Sequence, residues 1–217
     1  LCGAINTNAK GYIANSDDIQ RIYEKLKKQH PNAGKAYWLN RTWDLLCWQP
    51  LYISFIAIYE LNIAVELKNF KQYQFGQHVM GFCFSRFNYI DTNKEKLIAY
   101  QCQQLSLLFA DYEQKIRQFS KLPQRRSHQW LTDAILKNFI TLHASIVDLD
   151  QQQIVQQAYY WLQALNLDTN LCKKIKANRQ GSLYYIRQSC CSVYKTKNQQ
   201  FCQDCPHRFE GKALCTS

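Results

Sequence analysis

The sequence predicts an α+β chain: a predominantly helical body that carries a small antiparallel β hairpin or sheet and closes in a cysteine-rich C-terminal segment. Three observations predict it. Apolar residues recur at three- and four-residue spacing through most of the first 165 positions, and short β-rich runs replace that pattern between Val65 and Phe84. "SCCSVYKTKNQQFCQDCP" then packs four cysteines into residues 189–206. With 217 residues, 47% of them hydrophobic, and only 7 Gly and 4 Pro, the chain can bury one core without disulfide staples. The expected division is a mainly helical body over 1–180, with its hairpin near 65–84, and a segment over 181–217 packed on that body.

Taken in order, "SDDIQRIYEKLKKQ" (16–29) opens on Ser16 as a cap, with Asp17 and Asp18 in the first turn, and sets Ile19, Ile22, Tyr23 and Leu26 on one helical face. A second helix is expected from about Lys35 to Trp48. Pro50, suited to a first turn, would open a third ending near Ala64. "VELKNF" and "VMGFCF" read as the two strands of the hairpin, with Gly76 in its turn. "TNKE" (92–95) has capping-box spacing and precedes Leu97, Leu105, Leu108, Phe109, Tyr112 and Ile116. "KLPQRRS" ends that helix, and Ser127 is expected to cap the next, which carries Trp130, Leu131, Ala134, Ile135, Phe139 and Leu142. A further helix runs from about Asp150 through Trp161 to Leu165. "NLDTNLCKKIKANRQGS" connects it to the cysteines.

Several chemistries find no footing in the body. The longest apolar stretch, residues 45–67, is interrupted by Gln49, Pro50, Glu60, Asn62 and Glu66, short of the roughly 20 apolar residues a bilayer span needs, so no transmembrane segment is expected. Cys2 lacks the small preceding residue of a lipid-attachment cysteine and reads as part of a trimmed N-terminus. No G-x-G-x-x-G follows a strand, and G-x-x-x-x-G-K-[ST] is absent. His30, His78, His128 and His143 show no ligand spacing. Trp38, Trp43, Trp48 and Trp130 read as core.

Charge gathers where the cysteines do. Residues 171–217 hold nine Lys and Arg against Asp204 and Glu210, a net +7 of the chain's +11. Such a segment suits nucleic acid, an anionic surface or an acidic partner, and its cations would also offset thiolates.

Four close thiols admit disulfides, a structural zinc or an iron–sulfur cluster. Adjacent Cys190 and Cys191 disfavour a bridge to each other, though each can reach Cys202 or Cys205. Cys47, Cys83 and Cys102 sit in apolar runs, as free buried cysteines do. C-x2-C, here "CQDCP", serves zinc and iron–sulfur alike. A contiguous pair is awkward on one tetrahedral ion and suits two bridged irons better. The alternative reading is a zinc-stabilised basic module that grips nucleic-acid phosphates, with Tyr184, Tyr185 and Tyr194 among its cations.

The pattern C-C-x10-C-x2-C over Cys190, Cys191, Cys202 and Cys205, with Arg187 upstream, Tyr194 after the pair and Pro206 after the last cysteine, resembles the C-terminal signature of FhuF-type ferric siderophore reductases. The body, with "WLNRTWDLLCWQPLYISFIAIYE", a hairpin and "SHQWLTDAILKNF", is similar to that family's order. Two departures are "NQQF" before the third cysteine, where a glycine is usual, and Gln203 in place of a small residue. The resemblance implies that the four cysteines ligate a [2Fe-2S] cluster in a cytoplasmic enzyme that reduces Fe(III) in ferric siderophores by one electron. It further implies a separate acidic electron donor, a ferredoxin or flavodoxin, no nucleic acid, and peripheral association with the inner membrane. Arg187, Lys195, Lys197, His207 and Arg208 flank the ligands and are the expected docking residues for substrate or donor. Cys215 reads as a free thiol in the tail.

Overall fold

The computed structural model describes residues 12–75, 78–145, 149–197 and 200–209. Helix α1 (Ser16–Gln29) is capped by Asn15 rather than Ser16. The Asn15 side chain accepts from the Asp18 N–H, and the Asp18 carboxylate accepts from the Asn15 N–H in return. Ser16 Oγ donates instead to the Lys115 carbonyl at 2.9 Å, tying α1 to the later helix α3 (Lys94–Arg117).

Helix α2 (Gly34–Tyr59) runs through Pro50 as one element where two were expected. An interior proline removes one N–H and costs roughly 3 kcal/mol. Burial outweighs that cost, because α2 is the central helix: α1, α3 and α4 (Gln124–Ser145) all pack on it, and Leu46, Leu51 and Ile58 are fully buried. Ser54 Oγ also donates to the Pro50 carbonyl at 2.7 Å.

The strands shift from their expected places. "VELKNF" is not one strand: β1 (Ala64–Val65) pairs antiparallel with β4 (Tyr89–Ile90), while the hairpin joins β2 (Phe70–Phe75) to β3 (His78–Phe84). The reason lies on α3. Gln101 accepts from the Val65 N–H at 2.8 Å and Gln104 from the Leu67 N–H at 3.2 Å, taking the donors a strand partner would need. Gly76 lies outside the described residues. The hairpin register slips between Gln72 and Gln74, opposite Gly81, whose φ of +82° suits a bulge that a side chain would strain.

Helix α3 is capped by Asn93, one residue after the Thr92 expected, through its bond from the Lys96 N–H. Helix α4 begins three residues before Ser127, which sits in its first turn and donates to the Gln124 carbonyl and the Glu113 carboxylate. Helix α5 (Gln151–Ala164) lies where a helix from about Asp150 to Leu165 was expected, and Asp150 caps it in a full capping box with Gln153. The core centres on Trp161, fully buried, with its ring 4.3 Å from Phe55 and its N–H donating to Tyr59 Oη at 3.1 Å.

A 3-10 turn (Thr169–Lys174) packs on α5 and leads into a short hairpin of β5 (Lys176–Ala177) and β6 (Leu183–Tyr184), so the connection straddles residue 180. Strand β6 lies against α4, and a second 3-10 turn (Val193–Lys195) lies against α2. The cysteine segment is thereby seated across the two central helices. The fold is α+β, mainly helical, with two-stranded antiparallel sheets. Among the described residues no helix is long and apolar enough to cross a membrane.

Candidate functional site

The cysteine segment hangs from one carboxylate. Asp133 of α4 is buried among apolar neighbours, yet it accepts from Tyr185 Oη at 2.7 Å, from the N–H groups of Gln188 (3.1 Å) and Ser189 (2.9 Å), and from the Ser189 hydroxyl. Burial pushes this carboxyl above its ordinary value and the four donors offset that only in part. Sequence reasoning missed Asp133. Its signal was an acid within the apolar face formed by Trp130, Ala134 and Ile135, a position that demands buried donors.

Beyond Ser189 the chain brings two of the sulfurs together. Ser192 takes a left-handed backbone (φ +58°), and its N–H turns back to face Cys190 Sγ at 3.3 Å. A non-glycine residue in that region costs roughly 1–2 kcal/mol, so the turn that separates the adjacent cysteine side chains is bought with local strain. The C-x2-C piece turns through the Cys205 N–H to the Cys202 carbonyl, and the Arg187 N–H donates to the Asp204 carbonyl, locking the two pieces side by side. Cys191 Sγ and Cys202 Sγ lie 3.1 Å apart.

Arg187 sits over this group. Its Nη2 donates to Cys191 Sγ at 3.4 Å, and its Nε makes a 3.1 Å ion pair with Asp204, at an angle that falls short of a hydrogen bond. Burial alone would raise the Cys191 thiol; the bonds from Arg187 and Cys202 outweigh it and hold Cys191 below the ordinary value. Cys202 is pushed up to about 11 by burial and by Cys191 beside it, and burial also raises Cys190.

Among the described residues, no three His, Cys, Asp or Glu side chains converge as ligands of a single ion. The donor chemistry here is all sulfur, with backbone N–H and guanidinium groups turned toward it. Two thiolates on one metal at about 2.3 Å stand about 3.8 Å apart, so Cys191 and Cys202 need only a small outward rotation to share one. Cys191 and Cys202 thus supply two sulfur donors at a separation that a shared metal would widen only slightly.

A cleft opens beside them. Its outer lobe, about 220 Å³, is walled by Cys191, Cys202, Tyr37, Arg41 and Asp204; its inner lobe, about 260 Å³, reaches Trp43, Trp48 and Trp130. Asn40, Asp44, Lys137 and Arg187 line both lobes. Of the five expected docking residues only Arg187 faces this cleft. Lys195 lies over the Tyr194 ring, His207 packs edge-on to Tyr194, and Lys197 and Arg208 are exposed and do not line the cleft. Tyr185, expected among the aromatics of a nucleic-acid surface, is instead buried on Asp133. Cys215 lies outside the described residues. No protein-family model and no solved structure matches this chain.

Proposed function

We propose that the chain reduces Fe(III) in ferric siderophores by one electron through a [2Fe-2S] centre held by Cys190, Cys191, Cys202 and Cys205. The observation that carries this reading is the Cys191–Cys202 sulfur pair, 3.1 Å apart, under the Arg187 guanidinium and at the edge of a cleft. When bound, the centre supplies a site that takes up one electron and gives up one electron. The remaining work falls to the chain. Asp133 fixes the loop, Arg187 sets a positive charge against the thiolates, and the cleft admits a ligand beside the sulfurs.

The electron balance is simple. A separate acidic donor, a ferredoxin or flavodoxin steered by the basic C-terminal segment, supplies one electron, and the chelated Fe(III) takes it to become Fe(II). Oxygen chelators hold the hard Fe(III) ion far more tightly than Fe(II), so that electron loosens the metal with no proton transfer by the protein. The reaction is tested by mixing anaerobically reduced protein with a ferric trihydroxamate in the presence of a coloured Fe(II) trap. One Fe(II) captured per electron stored supports the reading; oxidant consumed without Fe(II), or no reaction, overturns it.

A further inference from the structure

Protein contacts bring Cys191 and Cys202 together. The Arg187 N–H donates to the Asp204 carbonyl at 3.2 Å, the Cys205 N–H turns back to the Cys202 carbonyl at 3.2 Å, and Asp133 anchors Gln188 and Ser189. The resulting sulfur separation is 3.1 Å. A disulfide holds its sulfurs about 2.05 Å apart, so a small side-chain rotation that closes about 1 Å would bond the pair.

The surroundings favour this pair over the others. Adjacent Cys190 and Cys191 would strain the backbone if bridged to each other. Cys190 Sγ instead accepts from the Ser192 N–H at 3.3 Å, and Cys205 is only 1% exposed. Cys191 and Cys202, by contrast, both line the outer lobe of the cleft, where a small molecule can reach them. Cys47, Cys102 and Cys172 are buried in other elements.

We propose that Cys191 and Cys202 close a reversible disulfide in the metal-free chain, a redox switch that withdraws two of the four thiolates from the centre. The oxidant is a low-molecular-weight disulfide. One cysteine sulfur attacks it as thiolate, forms a mixed disulfide and expels one small thiol; the second cysteine sulfur then attacks the first and expels the other. Two electrons leave the cysteine pair, one small disulfide is consumed, and its two sulfurs carry off the two protons as thiols. A thiol reductant runs the exchange backwards. The meaning of the switch for the centre rests on the reductase reading; the bridge itself does not.

The test uses the full chain, stripped of metal by a chelator under reducing conditions and then freed of reductant. It is treated with 2-hydroxyethyl disulfide, alkylated and cut with trypsin. Mass spectrometry is expected to find residues 188–195 joined to residues 198–208 through Cys191 and Cys202, and to lose that cross-link after dithiothreitol. Cys190→Ser and Cys205→Ser are expected to keep the cross-link. Alkylation of both Cys191 and Cys202 in the oxidised chain, or a cross-link that Cys190→Ser or Cys205→Ser removes, would overturn the switch. A bridge that forms and reopens in a chain that then takes up no iron and sulfide keeps this inference and sinks the reductase reading. Unbridged cysteines in a chain that takes up about two irons do the reverse.

Discussion

Asp133 accepts from Tyr185 and Gln188 on one oxygen and from the Ser189 N–H and hydroxyl on the other, so Asp133→Asn, which keeps a single oxygen, leaves two of these buried donors facing an amide NH2. It should lower stability by about 1–3 kcal/mol in urea unfolding and expose the cysteine segment to protease first. Because burial raises this carboxyl in the fold, the folded chain keeps the proton to higher pH than the unfolded chain does. Asp133's contribution is thus fully present below the ordinary value of 3.8 and declines as pH rises through the raised one; Asp133→Asn should abolish that decline. Arg187 makes the second residue-level prediction. Its charge beside Cys191 favours the reduced, more negative state of the proposed centre, so Arg187→Gln should shift the midpoint potential downward in an anaerobic titration. An unchanged midpoint would show that this guanidinium only ties Cys191 to Asp204.

Helix α5 is held by its tryptophan. Trp161 is fully buried against Phe55 and Phe139 and bonded to Tyr59, so Trp161→Ala should cost about 3–5 kcal/mol by urea denaturation, with the sulfur site still able to assemble in whatever folds. The α3 cap gives a finer test: Asn93→Ala should lose about 1 kcal/mol, while Thr92→Ala should fall within about 0.5 kcal/mol of wild type. These elements also show what the sequence made legible. Periodicity exposed α1, α3, α4 and α5 because their apolar faces pack one way. Pro50 misled because a helix buried on several sides can absorb a lost N–H, which local propensity does not register. The split of "VELKNF" followed from Gln101 and Gln104, side chains some 36 residues away in sequence that took its donors.

Across the whole molecule, the central pair α2 and α4 does two jobs. Leu46, Ile58, Ile135 and Phe139 are buried in the core, while Tyr37, Asn40, Asp44, Asp133 and Lys137 line the cleft beside the cysteine segment. A rigid scaffold thereby presents a loop whose own regular structure is slight. Residues 171–217 carry +7 of the chain's +11, and Lys195, Lys197 and Arg208 are exposed and do not line the cleft, so the proposed acidic electron donor would meet them there. Association with such a donor should accordingly weaken as salt is raised, measured as the apparent second-order rate of reduction.

The central claim is that four cysteines hold a two-iron, two-sulfide centre. It is tested most directly by iron, zinc and acid-labile sulfide analysis, with a visible spectrum before and after dithionite, on protein purified without oxygen. The account predicts a red-brown protein with about two irons and two sulfides per chain that bleaches on reduction, and loses its colour in Cys202→Ser. A colourless protein carrying one zinc and no sulfide would contradict it.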